Sequence, residues 1–398
     1  SPGRPGAERG KLDMGSFEKL TKGGPSGPGV VAADPDASHL ILRVKGEEEP
    51  RMPPNNDAVL GSEAIAAIEG WIKAGAKLDA GLDSNAPIKS YAASLQEVAR
   101  AKAARMAPEE RDAQLRAAGL DLWKKANPDL QPQMEATEHF AMFSTLPQER
   151  ATTAVKAMES YLATIRRVLG PEATSWPGKV SLHVFPDRKD YVEFQRTVNR
   201  REATEGEEGD ADLKASQPYV AVIAPADAAE PEPPASRRRP TRGRREAETT
   251  DAASRSLPGL LTENLVRGAV LAEGNSPRWL AEGLGAYLAS GVERRGGPYR
   301  KLRRDALDAF RRGWNTKATE VLGGGEGVAA DEFRGVSFAL AECLTSPQYR
   351  AVFPEFLKGM REGGEKLDDV VRAVYGVDRQ TFLTETGEWV AAAYGGGR

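Results

Sequence analysis

Two consecutive helical segments constrain the fold of this chain more than any other feature. They cover residues 257–271 and 277–287, and both are rich in apolar residues. Each carries a single acidic side chain among those apolar residues, Glu263 in the first segment and Glu282 in the second. The choice between an enzyme and a binding protein depends on the residues of these two segments.

Composition sets the outer limits of fold and function. At 398 residues the chain is long enough for two or three domains. Its formal net charge of −3 argues against general nucleic-acid binding, so no specific nucleic-acid partner is expected. No apolar run approaches the length that spans a bilayer, so no transmembrane segment is expected. The single cysteine, Cys343, excludes an intrachain disulfide, and its apolar surroundings predict a buried structural residue.

The first 130 residues divide into two regions. Residues 1–79 are rich in glycine and proline and contain one clear helix. The apolar stripe of that helix consists of Ile65, Ile68, Trp71 and Ile72. Residues 80–130 are predicted to form a linker, over 80–91, followed by a connecting pair of helices that is broken near Pro108.

Residues 131–398 begin with alternating strand and helix patterns. The predicted elements are strands at 139–143, 180–185 and 219–224 and helices at 148–169 and 190–198. The strand at 180–185 alternates and is expected to be half-buried. From Leu257 onward the chain is predicted to be mostly helical.

An insertion at about 225–257 interrupts this pattern. It contains prolines and an arginine cluster at 237–245, with no apolar residue larger than alanine before Leu257. Such a composition predicts a disordered surface loop. Acidic residues flank the arginines and no aromatic residues lie among them, so a solvated tether is favoured over an anion-binding segment.

Five short motifs follow one another in the first 79 residues. They are Gly10-Lys-Leu-Asp-Met, Lys22-Gly-Gly-Pro-Ser-Gly-Pro-Gly, Asp34-Pro-Asp-Ala-Ser-His-Leu-Ile, Arg51-Met-Pro-Pro and Ile68-Glu-Gly-Trp-Ile-Lys-Ala-Gly-Ala. Together they resemble the planctomycete-type cytochrome c module found in secreted proteins. The resemblance implies a C-x-x-C-H motif that binds haem and ligates its iron, and it makes Met52 the expected second axial ligand.

Residues 1–398 contain no C-x-x-C-H. The chain begins about where the residue after that histidine would fall, and its first residue is not methionine, so we expect a processed or trimmed chain. Under the favoured interpretation the native protein extends upstream and carries haem c. Under the other, the module is a haem-free fold and Met52 is an ordinary core residue. No cofactor is expected for residues 1–398 by themselves, and His39 is expected to be structural.

A second resemblance covers about residues 138–398. Its specific motif is Trp279-Leu-Ala-Glu-Gly-Leu, and weaker motifs are Thr137-Glu-His-Phe and the segments 180–188 and 367–376. These resemble the gluzincin superfamily of zinc peptidases, in particular its peptidase MA-like branch. The implied fold class is multidomain: a small, mostly α cytochrome-c-like segment, then an α+β gluzincin-like domain with an N-terminal sheet and a helical C-terminal half.

In gluzincins one helix carries H-E-x-x-H, which places two zinc-binding imidazoles on one face beside a glutamate that activates water. The resemblance places Thr262 and Val266 at the histidine positions and Glu263 at that of the general base. Glu282 then matches the third ligand, 16 residues after Val266. A shift of two residues would put Asn264 and Gly268 at the histidine positions instead, again without a histidine.

Catalytic zinc needs about three protein ligands and an open position for water. Because Thr262 and Val266 cannot replace two histidines, we predict a degenerate site with no metal, no catalytic residue and no enzymatic activity. The resemblance assigns His139 and His183 to the framework, and an unusual metal site using either one is the alternative. Glu263 and Glu282 are either structural helix residues, which line a cleft or pair with Arg267 or Arg278, or they belong to a cleft that binds a ligand, and the sequence leaves both interpretations open.

These observations favour a non-catalytic binding or scaffold protein, a pseudopeptidase fused to a cytochrome-c-like module. Its partner would be an unknown protein or an envelope polymer. The resemblance and the near absence of cysteine indicate an extracytoplasmic location, in the periplasm or cell envelope. Two alternatives remain: a haem-binding electron-transfer protein, if the full chain carries an upstream C-x-x-C-H, and a zinc metallopeptidase.

Overall fold

The computed structural model describes residues 13–24, 27–49, 52, 62–91, 95–176, 178–215, 217–225, 255–272, 276–293, 296–363 and 367–395. The chain divides into two compact units, Ser1–Ser94 and Leu95–Arg398. Most of the insertion predicted to be disordered, residues 226–254, lies outside the described residues.

Short helices build the first unit: α1 Phe17–Lys22, α2 His39–Lys45, α3 Ser62–Lys73 and a 3-10 helix Ile88–Ser90. Helix α1 begins after Ser16, whose side-chain oxygen accepts a hydrogen bond from the backbone N–H of Lys19. The predicted stripe of α3 does face a core. Ile72 is completely buried, and the other members of the stripe pack against the cluster around Ile41.

Residues 80–91 differ from the free linker that their composition suggested. The backbone N–H of Ile88 donates to the carbonyl of Gly15 at 3.2 Å, and that of Glu18 donates to the carbonyl of Ser84 at 3.0 Å. Residues 80–91 therefore pack along the first unit, because their backbone groups form hydrogen bonds with residues at and just before α1.

The second unit opens with two helices, α4 Leu95–Ala104 and α5 Pro108–Ala126. Proline at the first position of α5 suits a helix start, since its missing N–H would have no partner there. Leu115 and Trp123 are buried on the side of α5 that faces the sheet, and Leu120 and Leu122 pack partly against the same cluster.

One mixed sheet of five strands forms the centre of the second unit. Its strands are β1 Gln133–Ala136, β2 Phe140–Ser144, β3 Val180–Phe185, β4 Gly209–Asp212 and β5 Tyr219–Ile223, in the order β1-β2-β3-β5-β4. Strands β2, β3 and β5 are parallel, and β1 and β4 are antiparallel edge strands. The two edge strands were not predicted, because each has four mostly polar or small residues.

Helices cover both faces of the sheet. Helix α6 Gln148–Leu169 and the first helix after the insertion, α8 Leu257–Ala272, pack on one face, and α5 and α7 Arg188–Thr197 pack on the other. The prediction that β3 is half-buried is therefore wrong, since all six of its residues are buried. Parallel strands between two helical layers have no solvent face.

The remaining helices form the C-terminal half of the second unit, as predicted. They are α9 Arg278–Val292, α10 Gly297–Arg311, α11 Trp314–Leu322, α12 Ala330–Leu344, α13 Phe353–Gly363, α14 Leu367–Tyr375 and α15 Arg379–Gly395. Cys343 on α12 is completely buried, and this burial raises the pKa of its thiol. In the described residues no helix combines the length and apolarity needed to cross a membrane.

This architecture agrees with a multidomain α+β protein: many helices and one mixed sheet. Helix α8 lies at the centre of the second unit, because it contacts the sheet, α6 and α9. The two segments singled out from the sequence are thus the pair α8 and α9, and they bring Glu263 and Glu282 to neighbouring helices.

Candidate functional site

The two positions aligned with zinc-binding histidines lie in the core of the second unit. Thr262 and Val266 on α8 are both completely buried. The hydroxyl of Thr262 contacts the sulfur of Met158 on α6 at 3.2 Å, a weak acceptor. Val266 belongs to the main apolar cluster. Both side chains therefore contribute to packing between α8 and its neighbours.

Glu263 is held by two arginines. Its side chain is 8% exposed, and Nη2 of Arg334 on α12 lies 2.7 Å from Oε1 and 2.6 Å from Oε2. Nη1 of Arg255, just before α8, lies 3.1 Å from Oε2. Buried carboxylates require such partners, and charge-assisted hydrogen bonds are among the stronger ones. The carboxylate aligned with a general base is thus compensated by two guanidinium groups.

Glu282 on α9 lies among different cations. Its Oε1 is 3.7 Å from Nη1 of Arg267 and 3.9 Å from Nε of Arg278. Pairing with these two arginines agrees with one of the two interpretations left open by the sequence, and it holds for Glu282 but not for Glu263. Arg267 also donates to the carbonyl of Gly209 at 2.7 Å, so it joins α8 to β4.

The shifted register, with Asn264 and Gly268 at the histidine positions, leads to the same result. The amide Nδ2 of Asn264 donates to the carbonyl of Leu260 at 2.9 Å, and its Oδ1 accepts from Arg267. A Cβ built on Gly268 would lie 2.8 Å from that of Ala211 on β4. Asn264 is engaged within α8, and Gly268 allows close approach of α8 to β4.

Glycines on α9 explain how closely its helix neighbours pack. A Cβ on Gly285 would lie 2.9 Å from the backbone oxygen of Glu263, and one on Gly283 would lie 2.2 Å from that of Ser337 on α12. The segment Trp279-Leu-Ala-Glu-Gly-Leu-Gly therefore lets α9 lie between α8 and α12. This packing brings Arg334 of α12 to Glu263 of α8.

A cleft of about 380 Å³ lies beside Glu263. It is formed where β5 ends, where α8 begins and where the 206–208 loop passes. The lining residues are Arg188, Gly206, Glu208, Ile223, Ala224, Pro225, Arg255 and Leu260. Arg255 connects the cleft with Glu263, because its Nη2 lies 3.3 Å from Oε2 of Glu208 while its Nη1 lies 3.1 Å from Oε2 of Glu263.

The loop that forms one wall of the cleft is fixed by a buried polar network. Arg201 donates to both carboxylate oxygens of Glu207 at 3.0 and 2.6 Å, and the hydroxyl of Tyr191 donates to the same group at 2.5 Å. Burial opposes ionisation of Glu207, but the hydrogen bonds from Arg201, Tyr191 and Thr204 outweigh it and lower the pKa to about 2. Glu207 therefore stays ionised and anchors this loop.

Glu293 fixes the other side of the site. It follows α9, and its carboxylate accepts from the backbone N–H of Ser256 at 2.9 Å, just before α8. Burial raises the pKa of Glu293, against the opposing effect of that hydrogen bond and of Arg255. Its position at the amino end of α8 suits a carboxylate, since unpaired N–H groups point there.

The three histidines lie in separate surroundings. His183 on β3 is completely buried against Phe143 and Phe194, neither ring nitrogen has a hydrogen-bond partner among the described residues, and burial lowers its pKa to about 3. In the described residues no second potential metal ligand is grouped with His183. Nδ1 of His39 in the first unit lies 2.5 Å from Oε2 of Glu48.

His139 belongs to the one group in the described residues that could hold a metal ion, together with Glu138 and Glu159. Potential ligand atoms of these residues lie within 4.8 Å of one another. Nδ1 of His139 already pairs with Oε1 of Glu159 at 2.6 Å. The group lies where β2 begins, whereas the cleft lies where the parallel strand β5 ends. The two therefore lie at opposite ends of the parallel strands.

Met52 is partly buried and packs against the core of the first unit, and its backbone N–H donates to the carbonyl of Arg43 at 3.0 Å. A haem c needs two thioether bonds and axial ligands. Met52 fits one axial position by its chemistry. The single cysteine of the chain, Cys343, lies in the second unit, so these residues alone cannot supply the two thioethers.

Residues 4–56 match the family model described as planctomycete cytochrome C. The N-terminal module is cytochrome-c-like. The matched residues belong to the first unit alone, and a comparison of the chain with curated proteins finds no match. The resemblance of the second unit to gluzincins has no support from these comparisons and stays a prediction.

Sequence reasoning identified Glu263 and Glu282 but missed the arginines around Glu263. Arg334 is 71 residues away from Glu263 in the chain, and Arg255 follows a segment without periodic pattern. No local signal in the sequence links either arginine to that glutamate. A search for buried carboxylates on apolar helices would have indicated that some cation must lie close by.

Proposed function

We propose that the protein is a non-catalytic binding or scaffold protein of the cell envelope, in which a degenerate gluzincin-like domain follows the cytochrome-c-like module. The observation that carries this proposal is the pairing of Glu263 with Arg334 and Arg255. In an active site of this type the same carboxylate would accept a proton from metal-bound water.

Electrostatics supports the absence of zinc chemistry. A dication beside Glu263 would lie close to two guanidinium groups, and their repulsion would offset the attraction of the carboxylate. Thr262 and Val266 offer no replacement ligands, because both are used in packing. Without a metal, water at this site would keep its ordinary acidity, so hydrolysis would lack its nucleophile.

The proposed binding role rests on the cleft whose lining includes Arg255, the residue that contacts Glu263. Its walls are fixed by the Glu207 network and by Glu293, and a preformed concave surface with a few polar groups is typical of a ligand site. The partner would be a protein or an envelope polymer. The cytochrome-like module supports an extracytoplasmic location, because the family it resembles occurs in secreted proteins.

Electron transfer is the second candidate, and the family match of residues 4–56 favours it. If the native chain carries C-x-x-C-H upstream of Ser1, haem would supply one-electron chemistry and Met52 the second axial ligand. A zinc metallopeptidase is the third candidate and has the least support from the residues at the site.

One set of measurements separates the three functions. The product of the full gene is purified and analysed for zinc content, for visible haem absorbance and for proteolysis with and without a chelator. We expect no stoichiometric zinc and no chelator-sensitive hydrolysis. Haem absorbance would add electron transfer to the binding role. Stoichiometric zinc together with hydrolysis that Glu263→Gln abolishes would overturn the proposal.

A further inference from the structure

Arg188 is exposed and lines the cleft, and among the described residues its guanidinium has no charge partner. Arg188 is the first residue of α7, and its Nη1 and Nη2 donate to the backbone carbonyls of Glu207 and Thr204, each at 2.7 Å. Both acceptors are neutral, and within the described part of the chain no carboxylate pairs with Arg188. A guanidinium has five N–H donors, so this one is oriented by the loop and keeps donors for a ligand.

The second cation of the cleft, Arg255, contacts two unequal carboxylates. Glu263 is 8% exposed and is itself held by Arg334, whereas Glu208 is 50% exposed and its contact with Arg255 is the longer, at 3.3 Å. The buried partner therefore orients the guanidinium. The exposed partner can turn into solvent at little cost, since exposed ion pairs contribute little free energy. An incoming carboxylate can take the place of Glu208 on Arg255.

Apolar groups form the rest of the cleft. Leu260, Ile223, Ala224 and Pro225 lie beside the two arginines. A ligand that fits this arrangement has a carboxylate next to an apolar side chain. The cleft, at about 380 Å³, lies near the small end of the usual range of about 300 to 1,000 Å³ for ligand pockets. It suits two or three residues of a peptide better than a folded domain.

We infer that this cleft binds the C-terminal carboxylate of a peptide that ends in an apolar residue, with Arg188 and Arg255 as the anion-binding residues. Glu263 then acts as a positioning residue that holds Arg255, and Glu208 competes with the ligand. The inference rests on the proposed non-catalytic function, because it assigns to Glu263 a role in orienting an arginine and not in activating water.

The test measures binding of the tripeptide N-acetyl-Ala-Ala-Leu to the full chain by titration calorimetry, with its C-terminal amide as the matched probe. We expect the amide to bind at least about tenfold more weakly, because hydrogen bonds to a charged group are lost. Equal affinity for acid and amide would overturn the inference. Competition by inorganic sulfate as strong as that of the peptide acid would also overturn it, since the site would then be a general anion site.

Variants on the two sides of the cleft should act in opposite directions. Arg188→Gln should weaken binding of the peptide acid about tenfold. Arg196→Gln, on the same helix but outside the lining of the cleft and paired with Glu193, should leave it unchanged. Glu208→Gln should strengthen binding, because the competing carboxylate is removed. A loss of affinity in Glu208→Gln, with unaltered thermal unfolding, would contradict the inference.

The same samples distinguish failure of the inference from failure of the proposed function. Each peptide is recovered after titration and analysed for cleavage. Hydrolysis would overturn the non-catalytic function. Intact peptide with no preference for the free carboxylate would leave that function standing and remove only the assignment of the ligand.

Discussion

Glu263 is the residue whose surroundings change its expected chemistry most. A general base must be free to accept a proton from a nearby donor. Here Arg334 and Arg255 donate to both of its oxygens, and the side chain is buried between helices. Glu263, for which the sequence predicted the position of a general base, thus links α12 and the residue before α8 through two arginines.

Removing Arg334 should therefore destabilise the second unit. In Arg334→Leu the carboxylate of Glu263 stays buried and loses its closest partner, and we expect the free energy of unfolding to fall by about 3 kcal/mol, the low end for a broken buried pair, because Arg255 still contacts the carboxylate. Urea denaturation measures this change. The double variant Arg334→Leu, Glu263→Leu should recover part of the loss, because it leaves no buried charge; an equal or greater loss in the double variant would contradict this account.

His183 should make stability depend on pH. Its pKa is about 3 in the folded protein because of burial, against about 6.5 when the chain is unfolded. The neutral form is thus required for folding. The contribution of neutral His183 to the free energy of unfolding is complete above about pH 6.5. It is lost as the pH falls toward 3, at about 1.4 kcal/mol per pH unit, because the unfolded chain binds a proton there and the folded protein does not.

The measurement compares urea unfolding of the wild type and of His183→Phe between pH 7 and pH 4. Stability of the variant should fall less steeply with acidity, since phenylalanine does not titrate and suits the aromatic surroundings of β3. Parallel curves for the wild type and His183→Phe would disprove the assignment.

At the scale of single elements, close contact between helices depends on glycines of α9. A Cβ on Gly283 would meet a backbone oxygen of α12 at 2.2 Å, and backbone cannot move aside cheaply. A Cβ on Gly291 would meet the hydroxyl of Tyr161 at 2.1 Å, the far end of a side chain that can rotate. A side chain at Gly283 is therefore excluded by backbone, whereas one at Gly291 is opposed only by a side chain that can move.

Gly283→Ala should accordingly lower the free energy of unfolding by about 1 to 3 kcal/mol, the usual cost of overpacking. Gly291→Ala should be close to neutral, because a gain in helix propensity of about 1 kcal/mol offsets the displaced tyrosine. Thermal unfolding of both variants provides the comparison. If both lost the same stability, spacing between α9 and α12 would not be limited by Gly283.

Elements also differ in how well their sequence predicted them. The bounds of α6 and β3 agree with the predicted 148–169 and 180–185, because long amphipathic and apolar segments carry a strong periodic signal. Strands β1 and β4 escaped prediction. Gly209-Asp-Ala-Asp212 has no strand propensity of its own and is extended because β5 and Arg267 supply its partners.

For the whole molecule, the packing of α5 places the start of the second unit well before residue 131. Trp123 is completely buried and stacks on Phe185 of β3 with ring centroids 5.1 Å apart. Gly119 lets α5 approach closely, since a Cβ there would lie 2.1 Å from the ring of Phe143. Helix α5 is thus part of the layer that covers the sheet, although the sequence suggested a connector.

Two fragments test this boundary. A fragment of residues 95–398 should unfold cooperatively, since its core clusters draw only on its own residues. A fragment of residues 131–398 lacks Trp123 and Leu115, and we expect it to be less stable by more than about 3 kcal/mol or to aggregate. Equal stability of the two fragments would show that α5 is a connector after all.

The sequence by itself determined the helical and central strand segments, the burial of Cys343 and the cytochrome-like character of the first module, because periodicity and short motifs are local properties. It also identified Glu263 and Glu282 as the carboxylates of interest. Only the tertiary structure decided what surrounds them. Arg334 reaches Glu263 across 71 residues, and Glu208 and Arg255 meet across the insertion. Such pairings depend on how distant elements pack against each other. Periodic apolar residues show which face of a helix is buried, but no local pattern shows which distant side chain that face will contact.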